Sequence, residues 1–143
     1  IARIPFAVLL IALFFILYPQ AFWIPSWSNL LLFSLAVMLA FALRFVIQHT
    51  FAIFSFWTER ASALETFWYL FYLFLSGMIA PLDVFPPVVR AVVLCTPFPY
   101  LIDFPVSLLV GLPVDVGRGF LSMIGWLLFF IGVNRSLWRR GLK

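Results

Sequence analysis

LLLFSLAVMLAFALRFVIQHTFAIFSFW, Leu30 to Trp57, runs for 28 residues with a single formal charge, Arg44. As a helix it would reach roughly 42 Å at 1.5 Å per residue, against a hydrocarbon core of about 30 Å. The excess predicts tilt, or a last turn or two projecting beyond the membrane. The rest of the chain agrees with this reading. It is 66% hydrophobic and 10% charged over 143 residues, with a mean hydropathy of +1.18, where a soluble domain carries about 25% charge. The expected class is all-α: a polytopic membrane protein with room for several spans but not for a large soluble domain beside them.

Three further runs flank this one. Ile4 to Ile24 reads as a first span, with Gln20 its strongly polar residue and Tyr18, Trp23 and Trp27 placed for a membrane–water interface. Pro19, Pro25 and Asn29 then mark a turn. Phe67 to Ala80 reaches span length only if Ala61 to Thr66 joins the same helix, and Pro81, which cannot donate the next backbone N–H, ends it. Gly119 to Trp138 forms the last span, with Ser122, Gly125, Phe129 and Gly132 at helical spacing, a pattern that lets another helix approach. The expectation is one transmembrane domain over 1–143, with spans at about 4–24, 30–57, 61–80 and 119–138.

Between the last two runs the character changes. Seven of the ten prolines lie at positions 81, 86, 87, 97, 99, 105 and 113, and they cut the apolar material into pieces too short to cross a bilayer. Residues 81–113 are therefore expected to be re-entrant or interfacial. At the start, Arg3 before an apolar run imitates a signal peptide, but Pro5 and the lack of a small-residue cleavage site argue otherwise. With Ile1 first, the sequence reads as a fragment that begins upstream.

Four spans alternate sides. Arg3, Arg60, Arg135, Arg139, Arg140 and Lys143 then share one side, while Arg90 and Arg118 face the other. Lys and Arg in short loops favour the cytoplasm, so six against two puts both ends inside and the proline-rich segment outside. On the inner side lies FWTERASALETFW, Phe56 to Trp68, which places Glu59, Arg60 and Glu65 in a chain otherwise nearly free of charge. Glu59 and Glu65 would point about 120° apart on a helix, with no nucleophile or metal ligand nearby, so they read as solvated charges at a turn rather than an acid/base pair. Ser62 and Glu65 fit a capping box that would begin the third span.

On a wheel of 100° per residue, Arg44, Gln48, Ser55, Thr58 and Glu59 share a face about 100° wide. Two readings stay open. The stripe lines a passage or a subunit interface, as intramembrane ionisable groups usually do. Alternatively, Arg44 snorkels to the inner headgroups and the others already lie at the interface. His49, the one histidine, sits about 140° from Arg44 and reads as an interfacial or packed residue before a proton relay. In the outer segment, Asp83 precedes Pro86 and Pro87 and is placed to help start a short helix. Asp103 and Asp115 follow, and carboxylate binding of a substrate or cation competes there with ordinary surface roles.

Some chemistry is excluded. One cysteine, Cys95, and one histidine leave no disulfide within the chain and no usual zinc constellation. The net charge of +4 reflects membrane orientation rather than nucleic-acid affinity. A phosphate-binding P-loop needs an internal lysine, and the one lysine is Lys143. ATP cannot bind by that route.

FWTERASALETFWYLFYLFLSGMIAPLDVFPPVVR (Phe56 to Arg90), TPFPYLIDFPVSLLVG (Thr96 to Gly111) and the closing LWRRGLK together resemble ABC-2-type transporter permeases, more narrowly a bacterial six-span group. The first two runs match in hydropathy alone. The resemblance implies that these are the third to sixth spans of six, in a permease that pairs with a second permease subunit in the bacterial plasma membrane. It implies a separate ATPase subunit that holds ATP and magnesium, no cofactor or catalysis in this chain, and export of lipids, drugs or glycoconjugates. Glu59, Arg60 and Glu65 would then lie toward the ATPase. Arg44, Gln48 and Ser55 would face the passage or the partner permease. Asp83, Pro86, Pro97, Tyr100 and Asp103 would belong to a re-entrant outer gate. A membrane-embedded enzyme and a non-catalytic assembly subunit remain as alternatives; the first needs a nucleophile beside a base, which no spacing here supplies.

Overall fold

Ser26 decides where the long apolar run becomes a helix. Its backbone is extended (φ −65°, ψ 152°), and its hydroxyl accepts the N–H of Asn29 at 3.3 Å, satisfying one of the donors that a helix start leaves free. The helix therefore begins at Trp27, three residues before the expected Leu30, and Asn29 is helical rather than part of a turn. It ends at Phe54, with Ser55 as C-cap.

In this computed structural model, residues 3–19, 24–55, 58 and 61–141 are described. Gln20, Trp23, Phe56, Trp57, Glu59, Arg60 and Lys143 lie outside the described residues, as does the side chain of Ser62. The order is α1 (Arg3–Leu17), α2 (Trp27–Phe54), α3 (Ala61–Leu75), α4 (Pro87–Leu94), α5 (Asp103–Val110) and α6 (Val116–Gly141), with single 3-10 turns at Leu82–Val84 and Pro99–Leu101. The fold is all-α, with no strand among the described residues.

Two helices, Trp27–Phe54 and Val116–Arg139, are long and apolar enough to cross a membrane, while Val8–Leu17 and Ala63–Leu75 are shorter apolar helices. The third run corrects its expected bound of 80. Ala61 to Thr66 does join Phe67 onward in one helix, but α3 stops at Leu75. The stop comes from Gly77, whose φ of +83° is a left-handed conformation closed to most side chains. Residues 76–80 then follow as bends before Pro81 is reached. The described helix also starts at Ala61, so Ser62 falls inside its first turn rather than in front of it. In the outer segment, Pro86 is the N-cap of α4 and Pro87 its first residue, the position where a missing N–H costs nothing. Asp83 does not cap α4; it pairs with Arg90 at 2.8 Å.

α2 presents two stripes. Ala36, Ala40, Leu43 and Ile47 are buried, while Leu31, Leu35, Met38, Phe41 and Phe45 are exposed on the other side. A helix apolar all round is the pattern of a membrane span. The core lies where the small side chains of α2 meet the outer segment and α6: Ala36, Ala40, Tyr100, Phe104, Leu108 and Met123 form one buried cluster. At the other end, the Asn134 amide donates to the Val46 carbonyl at 3.1 Å. With Met123 level with Ala36 to Ala40 and Asn134 level with Val46, α2 and α6 run in the same sense. α3 runs against α2, since Tyr72 meets Arg44 and Trp68 meets Phe51. Asp115 starts α6 by accepting the Arg118 N–H at 3.0 Å, an N-cap geometry.

Gly119 lies under the Phe104 ring, and a Cβ built there would run into the ring's Cε2 and Cζ atoms. Gly119→Ala gains about 1 kcal/mol of helix propensity, yet overpacking a well-filled core costs typically about 1–3 kcal/mol. The clash should win. Thermal unfolding in detergent is expected to show a lower midpoint for Gly119→Ala, largely restored by adding Phe104→Leu. An unchanged or raised midpoint in the single variant would refute this packing.

Candidate functional site

Arg44, Ile47, Gln48 and Phe51 recur on α2 at steps of three and four, and Glu65, Trp68, Tyr69 and Tyr72 do the same on α3. Each set forms one helical face. The two faces, with Leu101, line an open-sided cavity of about 340 Å³, within the range of about 300–1,000 Å³ typical of ligand sites. The Arg44 guanidinium holds two interactions with the same residue. Its Nη1 donates to the Tyr72 phenolic oxygen at 2.9 Å, and its Cζ lies 4.8 Å from the Tyr72 ring centroid, a cation–π distance. Tyr72 is itself buried and stacks on Tyr69 at 6.0 Å. Arg44 has no carboxylate partner among the described residues; their one ion pair is Asp83 with Arg90.

The cavity joins residues from two of the expected groups. Arg44 and Gln48 line it, and so does Glu65 from the turn group. Ser55 does not; its hydroxyl donates to the Ala52 carbonyl at 2.7 Å at the helix end. Glu59 and Arg60 lie outside the described residues. His49 is exposed and stacks on Phe45 at 6.4 Å, away from the cavity. Tyr72, Tyr69 and Trp68 were not singled out from sequence. Their signal was available as the Glu65, Trp68, Tyr69, Tyr72 periodicity, hidden because aromatic residues crowd the whole run.

A second cavity, of about 590 Å³, lies on the other side of Phe51 and Trp68 and has a wholly apolar lining surface. Phe51 and Trp68, with rings 5.7 Å apart, line both cavities and form the wall between them. Trp68 also packs on Phe98 at 4.6 Å, which ties this wall to the outer segment.

The remaining outer residues sit elsewhere. Tyr100 is buried and donates to the Leu94 carbonyl at 2.8 Å, and Pro97 is buried nearby. Asp103 shares a third cavity, of about 240 Å³, with Arg90, Asp115 and Arg118. Its backbone N–H donates to the Ser76 carbonyl at 3.1 Å. Burial raises the Asp103 carboxyl above its ordinary value, the nearby Asp83 charge adds to this, and Arg90 opposes it. Among the described residues no group of three His, Cys, Asp or Glu side chains gathers as metal ligands.

With this geometry in place, comparison with known proteins gives one family. The ABC-2 family transporter protein family matches residues 1–143, the whole chain. No curated protein and no solved structure gives a significant match.

Two measurements check the site. Tyr72→Phe keeps the ring under Arg44 but removes the oxygen that accepts its hydrogen bond. Such bonds to charged groups contribute about 1.5–3 kcal/mol, so a drop in unfolding midpoint is expected, and an unchanged midpoint would contradict the pairing. Asp103 gives a pH signature. Because its folded value lies above 3.8, its contribution to stability is fully present below that pH and is lost as pH rises through the folded value. The gap between unfolding profiles of Asp103→Asn and the unaltered chain should therefore shift in favour of Asn as pH climbs past about 4. A gap that stays constant or moves the other way would refute the burial of this carboxyl.

Proposed function

The chain belongs to the ABC-2 family of transporter proteins, membrane permeases of ABC transporters, and on that footing we propose that it is the permease of an exporter of lipids, drugs or glycoconjugates. The family match over the whole chain is the observation that carries this reading. A separate ATPase subunit binds ATP and magnesium, and a second permease subunit completes the membrane pathway.

The arrangement proposed has four spans, α1, α2, α3 and α6, in the bacterial plasma membrane, with both ends of the chain cytoplasmic. The parallel α2 and α6, with α3 opposed to both, supports it, because alternating spans require that order. Residues 81–113 form a re-entrant outer gate, a role supported by α4 and α5 having eight residues each, about 12 Å of helix apiece. Arg44 and Gln48 face the passage, Glu59 and Arg60 lie at the cytoplasmic turn toward the ATPase, and Glu65, one turn into α3, faces the Arg44 cavity. Arg44 sits roughly 15 Å of helix from the C-terminal end of α2. A cation at that depth is expected to face protein or a watered cavity rather than lipid.

Co-purification of the full-length permease with its ATPase tests the turn. Replacing Glu59 and Arg60 by Ala is expected to lower recovered ATPase several-fold with the permease still present in the membrane. Unchanged recovery removes these residues from the contact, and no ATPase recovered with the unaltered permease either would count against the transporter reading itself.

A further inference from the structure

The two cavities flanking Phe51 and Trp68 differ in chemistry and share a wall. The smaller holds one cation, Arg44, and one anion, Glu65, which do not pair with each other. Glu65 lies seven residues before Tyr72, the partner of Arg44, so two turns or roughly 10 Å of α3 separate their levels. Between them stand the Gln48 amide, which makes no hydrogen bond among the described residues, and the rings of Trp68, Tyr69 and Tyr72. A cation and an anion held apart in a pocket with aromatic walls leave each charge open to a ligand group of opposite sign. The rings add attraction for an ammonium. A purely anionic headgroup would meet Arg44 but be repelled by Glu65, and a purely cationic one would meet the reverse.

Across the wall the larger cavity offers no polar surface. It runs past Phe54, Phe67, Phe71, Phe98 and Phe130, from α2 and α3 to α6. Its volume of about 590 Å³ is also within ligand range, and its lining suits hydrocarbon alone. A ligand matched to both spaces has one positive and one negative group at one end and a hydrocarbon chain at the other.

We propose that the Arg44–Glu65 cavity and the apolar cavity beyond Trp68 form one bipartite site for a single-chain amphiphile with a zwitterionic headgroup. Its phosphate or carboxylate meets Arg44 and Gln48, its ammonium meets Glu65 and the aromatic rings, and its chain lies against the phenylalanines. This deepens the permease reading and rests on it for the purpose of the site, while binding itself is measured without the ATPase.

The test uses the full-length permease in neutral maltoside micelles and tryptophan quenching by bromine on the acyl chain. Brominated lyso-phosphatidylethanolamine should quench saturably, and the quenched component should disappear in Trp68→Phe. Lyso-phosphatidylglycerol with the same chain should bind at least ten-fold more weakly. Glu65→Gln should abolish or invert that preference by strengthening the anionic ligand, a gain that misfolding cannot produce. Arg44→Gln should weaken both phosphate headgroups about ten-fold or more. Glycerophosphoethanolamine, which has the headgroup and no chain, should compete only weakly. Equal quenching by zwitterionic and anionic chains with no effect of Glu65→Gln would reduce the site to a lipid-facing surface and overturn the proposal. Quenching that persists in Trp68→Phe would put the chain elsewhere and overturn it as well, and full competition by the chainless headgroup would remove the apolar half. A permease that binds as expected but never couples to an ATPase sinks the transporter reading and leaves the site standing; coupling without saturable quenching sinks the site alone.

Discussion

Phe104 can stand between α2 and α6 only because the residues beneath it are small. Ala36 and Ala40 on α2 and Gly119 on α6 leave the space that its ring fills, and Tyr100, Leu108 and Met123 close the cluster around it. Dispersion and close packing, rather than the hydrophobic effect, must hold helices together where the surroundings are as apolar as the side chains. The outer segment is thereby attached to the N-terminal halves of two long helices. From that attachment follows the position of Phe98, which packs on Trp68, and so the wall between the two cavities. A change at the Phe104 seat is transmitted to the site through one side chain and one turn.

Polar atoms add a second kind of fastening at the other end of the bundle. The Val46 carbonyl accepts from the Thr50 hydroxyl at 2.9 Å and from the Asn134 amide at 3.1 Å. A helix carbonyl keeps a lone pair beyond its own ladder bond, and here that spare capacity joins α6 to α2. The other half of the Asn134 amide, its Oδ1, is buried without a hydrogen-bond partner among the described residues, as is the Ser76 hydroxyl. Arg44 differs from both, since its partner is a phenol on a facing helix and it has no carboxylate partner among the described residues. Arg44 and Asn134 thus fix α2 to α3 and to α6 at neighbouring levels.

Helix class and approximate extent were legible because hydrophobic runs and prolines speak directly to them. The long run became a helix of the predicted 28 residues, displaced by three toward Ser26, whose capping hydroxyl competed with the turn residues Pro25 and Asn29. The early end of α3 was harder to read. Pro81 is the obvious stop, but Gly77 acts first through its backbone, and glycine inside an apolar run carries no mark of its eventual φ. At the site, Arg44 and Gln48 were visible as rare polar residues on one face. Glu65 was visible too, but its sequence neighbours Glu59 and Arg60 tied it to the turn; the pairing of α2 with α3 is what brings it into the cavity that Arg44 lines. Trp68, Tyr69 and Tyr72 stayed hidden because composition does not say which aromatic faces a helix and which faces lipid.

The shortness of α3 bears on the membrane itself. Fifteen residues give about 22 Å of helix, well under a hydrocarbon thickness of about 30 Å. In the four-span arrangement the bends at residues 76–80, which follow α3, carry backbone groups that a helix would otherwise satisfy internally. Lipid cannot satisfy them. At Ser76, which is fully buried, protein satisfies both backbone groups: its N–H donates to the Tyr72 carbonyl and its carbonyl accepts the Asp103 N–H, so the outer segment supplies there what lipid cannot. The outer segment thereby does at the end of α3 what further turns of helix would do for themselves.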